Sequence, residues 1–225
     1  MNYILGISCG FHDSAACLLK DGKVVSACEE ERFTGIKHDF SFPYNTINWI
    51  LESNSITKED IDTICFYESP EQKLDRIQES TSKKPKKWYE FFSNKNSILE
   101  RNKESYKSLL KDIKNIKGKK TKISFTDHHS SHLAYSYYTS PFDSSAILSV
   151  DGVGEWKTTS LGIGKDNKIK ELQSINFPHS LGMFYSSMTA FLGFKPNEGE
   201  YKVMGLAPYG NPTKFNLKFE DIIQE

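Results

Sequence analysis

The feature that most constrains the fold of this chain is an internal echo between two stretches. From Tyr3 to Glu30, an apolar run (Tyr3-Ile4-Leu5-Gly6-Ile7-Ser8-Cys9) leads into a turn carrying the acid Asp13. A second run (Ala15 to Leu19), a charged turn (Lys20-Asp21-Gly22-Lys23) and a third run (Val24 to Cys28) follow. From Ser145 to Ile175 the same order returns. Ala146-Ile147-Leu148-Ser149-Val150 delivers Asp151 into Gly152-Val153-Gly154, and runs from Lys157 to Gly164 and Ile169 to Phe177 flank the turn Lys165-Asp166-Asn167. Short β-prone runs bounded by Gly, Asp and Asn predict strands. Asp21-Gly22 is a strong hairpin signal, because both residues tolerate the positive φ of a tight turn. Each half is therefore predicted to be a three-stranded meander with a carboxylate just beyond its first strand.

A duplicated meander of this kind is how a ribonuclease-H-like (actin-like ATPase) fold shows itself in sequence, with a nucleotide enclosed between the two halves. The expected class is α/β. Residues 1–140 are expected to form a first lobe with a basic helical insertion at about 71–122, and residues 141–225 to begin a second, truncated lobe. Between the strands, Pro43 opens a predicted helix with Ile47, Ile50 and Leu51 on its apolar face. Thr57 has N-cap character with acids behind it, and Asp62 to Tyr67 is a further strand. In the insertion, Trp88, Phe91, Phe92 and Leu99, then Tyr106, Leu109, Leu110 and Ile113, recur at helical spacing around a Lys83-Lys84-Pro85-Lys86-Lys87 loop. Ser180 to Phe194 is predicted as a helix capped by Ser180, with Leu181, Phe184, Met188, Phe191 and Leu192 inward. Asn197 to Gly210 is expected to be a functional loop.

Composition excludes little but narrows the field. At 225 residues, 37% hydrophobic and 26% charged, the chain is of ordinary globular composition with zero formal net charge. That balance argues against a nucleic-acid partner. It hides a segment, Glu71 to Lys122, with sixteen Lys/Arg against seven Asp/Glu; a solvated basic surface is the favoured reading over a phosphate or nucleic-acid patch. Cys9, Cys17, Cys28 and Cys65 show no metal-finger spacing and are expected to be reduced and buried. No apolar run approaches a membrane span and no leader is read at the N-terminus, so a cytoplasmic location without a membrane partner is expected.

Candidate chemistry concentrates between the meanders. The run Lys122-Ile123-Ser124-Phe125 feeds into Asp127 and a predicted helix that carries His128 and His132. Four-residue spacing stacks both imidazoles on one helix face, about one turn apart, where a divalent cation can bridge them. Asp151, at a strand end and followed by glycines, offers a third ligand beside a backbone (Gly152, Val153, Gly154) suited to phosphate. Two His and one Asp leave coordination positions open, as catalytic metals require. The bland alternative is a surface histidine pair, and His129 shows that not every His here shares one face.

The blocks GISCGFHDSAACLLKDGKVVSACEEERFTGIKHD, DHHSSHLAYSYYTSPF, SVDGVGEW, FPHSLGMFYSSMTAFLGF and NEGEYKVMGLAPYG resemble, in order, the N-terminal part of the nodulation-protein-U and tobramycin-type O-carbamoyltransferases. The resemblance implies an actin-like lobe related to the tRNA threonylcarbamoyl transferases. It also implies a two-domain enzyme, in which a second domain makes carbamoyl-adenylate from carbamoyl phosphate and ATP and the first transfers the carbamoyl group to a small-molecule hydroxyl. On that resemblance His128, His132 and Asp151 fall on ligands of Fe2+ or Mg2+, and His12 on the catalytic His near the acceptor hydroxyl. Lys37, with Asp13, falls on the carbamoyl-adenylate side. A His with pKa near working pH suits removal of an alcohol proton; a turn histidine at 12 and a solvated lysine at 37 are the plain alternatives. Family members are more than twice this length, so most of the second lobe is expected to lie outside these residues or on a partner subunit, and the isolated chain to be inactive. Two other readings stand beside this one: a sugar-kinase-like phosphotransferase, needing an acidic base but no His ligands, and a non-catalytic nucleotide- or metal-binding module.

Overall fold

The computed structural model describes residues 1–82 and 95–215. β1 (Tyr3–Ser8), β2 (Ala15–Lys20) and β3 (Lys23–Glu29) form the expected meander, β1 pairing antiparallel with β2 and β2 with β3. The turn between β2 and β3 closes as the dipeptide requires, with φ of 49° at Asp21 and 81° at Gly22. α1 (Glu31–Thr34) and α2 (Tyr44–Ser53) follow, then β4 (Thr63–Phe66), which lies parallel to β1. α3 (Pro70–Ser82) and α4 (Lys95–Ile116) lead to β5 (Lys122–Phe125), parallel to β4. The sheet order is β3-β2-β1-β4-β5, an antiparallel meander extended by two parallel strands. That is the ribonuclease-H-like lobe the sequence predicts.

Period-two alternation builds its core: Leu5, Ile7, Ala16, Leu18, Ile64 and Phe66 point inward and meet Ile47 and Ile50 of α2 and Ile113 of α4. One buried acid fixes α2. Glu30, 1% exposed, accepts hydrogen bonds from the Asn45 and Thr46 N–H groups, the Asn45 amide and the Thr46 hydroxyl, at 2.7 to 3.1 Å. A carboxylate at the first N–H groups of a helix satisfies orphan donors and complements the helix dipole.

α5 (His128–Tyr138) crosses to the second sheet, β6 (Ser144–Val150), β7 (Lys157–Lys165) and β8 (Lys168–Asn176), antiparallel in the order β6-β7-β8. Leu133 and Tyr137 of α5 pack on Ile147 and Ile169. The β7–β8 turn has φ of 50° at Asp166 and 56° at Asn167, matching the predicted hairpin. α6 (Leu181–Phe191) and α7 (Glu200–Leu206) follow, and two short 3-10 turns, Ala207–Tyr209 and Pro212–Phe215, close the described residues.

Three expectations need correction. Asn197 to Gly210 is not a long loop: Glu200 accepts hydrogen bonds from the Asn197 N–H (2.8 Å) and the Ser186 hydroxyl (2.8 Å), which starts α7 and ties it to α6. The apolar stripe of α6 is covered only in part: Phe184 and Met188 are half-buried, whereas Phe191, Leu181 and Leu192 are 80%, 46% and 44% exposed. All four cysteines are free, but Cys17, Cys28 and Cys65 are half-buried and only Cys9 is fully buried. The Lys83–Lys87 loop and the helical placement of Trp88, Phe91 and Phe92 lie outside the described residues. No helix among the described residues is long and apolar enough to cross a membrane.

Candidate functional site

The first turn of α5 is held by two carboxylates. Asp127 caps the helix, accepting from the Ser130 N–H at 2.9 Å, and Glu155, 2% exposed, accepts from the His128 N–H at 3.1 and 3.0 Å. Glu155 also accepts from the Ser69 N–H at 2.6 Å, so a residue next to the β6–β7 turn clamps both the start of α5 and the approach to α3. From this anchored turn the His128 and His132 rings project on one side, 4.6 Å apart between centroids. His129 is fully buried, its ring centroid 6.0 Å from each of the other two, and burial pushes its pKa down.

The structure brings three sequence-predicted residues together. His128 Nε2 lies 2.8 Å from Asp151 Oδ2 and 3.0 Å from His132 Nε2, and His132 Nε2 lies 3.8 Å from Asp151 Oδ2. All three donor atoms fall within 4.8 Å of one another. Two ligands about 2.1 Å from one ion, at right angles, sit about 3 Å apart. The donor set therefore fits a single divalent cation with further positions open. Without an ion, burial works against the charge on Asp151, but the His128 hydrogen bond and charge, with the Gly152 N–H, bring its pKa to about 2. Burial likewise works against the imidazolium of His128, and Asp151 outweighs it, so that pKa is raised. Burial and the neighbouring His128 charge lower that of His132.

The glycines beside Asp151 show closer roles than a phosphate cradle. The Gly152 N–H donates to its neighbour Asp151 Oδ1 at 2.6 Å, and the Gly154 N–H to the Lys157 carbonyl at 2.9 Å. A Cβ on Gly154 would stand 3.0 Å from the His128 ring, and one on Gly182 only 2.4 Å from the Asp151 carbonyl oxygen. Val153 sits between the two glycines in the same turn.

His12 and Asp13 form a second cluster. His12 Nδ1 lies 2.8 Å from Asp13 Oδ2, and His38 Nδ1, from the loop before α2, lies 2.9 Å from Asp13 Oδ1. Burial opposes ionisation of Asp13 but the two histidines prevail, so its pKa is lowered and it accepts from both Nδ1–H groups. Asp13 and His38 both hold left-handed backbone, φ 48° and 56°, a strained state seen often where side chains must be aimed. Lys37 is on the same loop, its ammonium 3.1 Å from Glu31 and largely exposed. Sequence reasoning assigned no role to His38 or Glu155. Both stand inside the family-like blocks, but their partners are distant in sequence.

A family model described as carbamoyltransferase N-terminus matches residues 3–225. Uncharacterized protein sll1178 of Synechocystis sp. is 43% identical over 99% of this chain and 37% of its own length. Nodulation protein NolNO of Sinorhizobium fredii is 34% identical over 95% of this chain and 30% of its own. The chain thus spans about a third of the length of these curated relatives. A crystal structure of an uncharacterized protein with similarity to peptidase YEAZ from Pseudomonas aeruginosa is similar with a TM-score of 0.39 at 10% identity, covering 79% of this chain and 67% of that one. With residues 3–225 matched, this chain belongs to the carbamoyltransferase N-terminus family.

Proposed function

We propose that the chain is the N-terminal part of an O-carbamoyltransferase. The full enzyme moves a carbamoyl group from carbamoyl-adenylate, made from carbamoyl phosphate and ATP, to a hydroxyl of a sugar or natural product. The observation that carries this reading is the convergence of His128, His132 and Asp151 in a chain of this family. Residues 1–140 form the first lobe, with the helical insertion at 71–122, and 141–225 open a second. In support, β6-β7-β8 repeats the β1-β2-β3 meander, and among the described residues the edge of β6 that corresponds to the β4 side of β1 has no strand beside it. The remainder of the longer relatives, or a partner subunit, supplies the rest.

His128 and His132 through Nε2, and Asp151 through its carboxylate, hold the divalent cation; two imidazoles favour iron(II) over magnesium. When bound, the ion neutralises phosphate charge as a Lewis acid. His12 is the base: Asp13 holds its Nδ1–H, which leaves Nε2 free to take the proton of the acceptor hydroxyl as its oxygen attacks the carbamoyl carbon and AMP departs. Lys37 neutralises the departing phosphate. Its pairing with Glu31 leaves the lysine side chain 75% exposed, so the ammonium can exchange that partner for a phosphate. The Gly152 and Gly154 N–H groups are engaged within their turn, so a phosphate beside it would take them only by displacing those bonds.

Anaerobic loading of the purified chain with iron(II) tests the centre: about one ion per chain is expected after desalting, and His132→Ala is expected to lose it with an unchanged circular dichroism spectrum. Transfer is tested by acceptor-dependent AMP release from ATP and carbamoyl phosphate. None is expected from the chain alone. AMP release is expected once the C-terminal polypeptide of a longer relative is added, and its absence in that mixture would sink the transferase reading.

A further inference from the structure

A cavity of about 270 Å³ lies at the carboxyl ends of the parallel strands β1 and β4, where Cys9 and Glu68 leave the sheet, and is roofed by α3 and α4. In open α/β sheets ligands bind outside the carboxyl ends of the strands. The cavity adjoins the His12 turn: Gly10 lines it two residues before His12, and the Gly10 N–H donates at 2.9 Å to the carbonyl of Phe40, another lining residue two positions beyond His38. At the other side, Glu68 is near enough to His128 for its charge to act on that ring.

The chemistry of the walls is specific. Glu68, 8% exposed, takes the Lys73 ammonium at 2.7 and 3.0 Å, so those two charges cancel. Asp112 of α4 accepts from the Tyr44 hydroxyl at 2.9 Å and the Ser108 hydroxyl at 3.4 Å. A carboxylate has about four acceptor sites, so Asp112 keeps capacity for a guest. The rings of Phe42 and Tyr106 supply apolar wall, and electron-rich ring faces suit the C–H edges of a saturated ring. Although Glu71 to Lys122 carries sixteen basic residues against seven acidic, the charge left facing this cavity is negative. The volume is just under the ~300–1,000 Å³ of drug-sized sites, which suits a single ring.

We propose that this cavity is the acceptor subsite, and that it takes a hydroxyl-rich ring that is neutral or positively charged, held by Asp112 and Tyr106 of α4. An anionic ring is excluded by the uncompensated carboxylate. The helical insertion thereby gains a role as the wall that selects the acceptor. The name acceptor rests on the transferase reading; the site and its ligand class do not.

Saturation-transfer NMR on the purified chain tests this with three probes: methyl glucopyranoside, glucosamine and glucuronate, each at millimolar concentration. Transfer to the first two and little to glucuronate is expected. Asp112→Asn and Tyr106→Ala, each checked for folding by circular dichroism, should each weaken binding roughly tenfold, about the worth of one hydrogen bond to a charged group. The two sites fail separately: wild-type chain that retains no iron(II) after desalting yet shows transfer to the first two probes would sink the centre and keep the subsite. No transfer to any probe, preference for glucuronate, or wild-type binding by both variants would overturn the proposal.

Discussion

Glu155 stands 27 residues beyond His128 in sequence, yet its buried carboxylate takes the backbone N–H that opens the histidine-bearing helix. The same carboxylate takes the Ser69 N–H. Glu155→Ala leaves two part-buried donors without this partner, at a cost of about 1 kcal/mol or more in total. A clear drop in thermal midpoint is expected, together with weaker iron binding because the first turn of α5 loosens. A variant that melts like the wild type would show that Glu155 does not clamp the helix.

The metal-free protein gives a second check. Asp151 holds the His128 pKa up against burial. In Asp151→Asn that support is gone and burial is opposed only by the smaller pull of Glu68 and Glu155, so His128 should titrate below its wild-type value in a histidine NMR titration. An unchanged or higher value would mean that the two side chains do not meet.

Asp39 carries a pH dependence of stability. Its carboxylate, 5% exposed, accepts from the Ser41 hydroxyl, the Ser41 N–H and the Thr34 hydroxyl at 2.6, 2.9 and 2.8 Å, and these bonds lower its pKa against the opposing effect of burial. An unfolded Asp titrates near about 3.9. The depressed folded value means that the contribution is fully present above that pH and is lost as pH falls through the folded pKa. Asp39→Asn should lower stability at pH 6 and flatten its decline between pH 5 and 3, as urea titrations at each pH would reveal. An equal slope in both proteins would exclude Asp39 as a source.

Two neighbouring glycines should respond oppositely. A Cβ at Gly182 would come within 2.4 to 2.7 Å of backbone atoms of Asp151 and Gly152, which cannot swing aside. Gly182→Ala should therefore cost upwards of about 1–3 kcal/mol and displace Asp151. At Gly152 nothing lies within 4 Å of the same added atom, and Gly152→Ala should melt within a few degrees of the wild type. Comparable losses in both would contradict the packing of α6 on the Asp151 turn.

The amino-acid sequence by itself determined the local elements. Alternation in Leu5-Ile7 and Leu18-Ala16, the positive-φ pairs Asp21-Gly22 and Asp166-Asn167, and the Ser180 cap on the Met183 N–H are properties of neighbouring residues, so they read directly as strands, turns and a helix start. The His128–His132 pair was also legible, because helical spacing alone puts two side chains on one face.

Only the tertiary structure decided what those elements meet. His38 reaches Asp13 from 25 positions away and Glu155 reaches His128 from 27, and no local pattern marks such pairs, since strand pairing and loop path set the distance. The stripe of α6 makes the same point from the other side: apolar residues at helical spacing state that a face favours burial, but whether a neighbour covers Phe191 depends on where the rest of the chain has gone. The cavity between β1, β4, α3 and α4 is likewise a product of packing, and Asp112, the carboxylate there with no lysine partner among the described residues, stands in a segment whose composition is basic. Local preference acts over a few residues, whereas burial and electrostatics act on whatever the folded chain brings within reach.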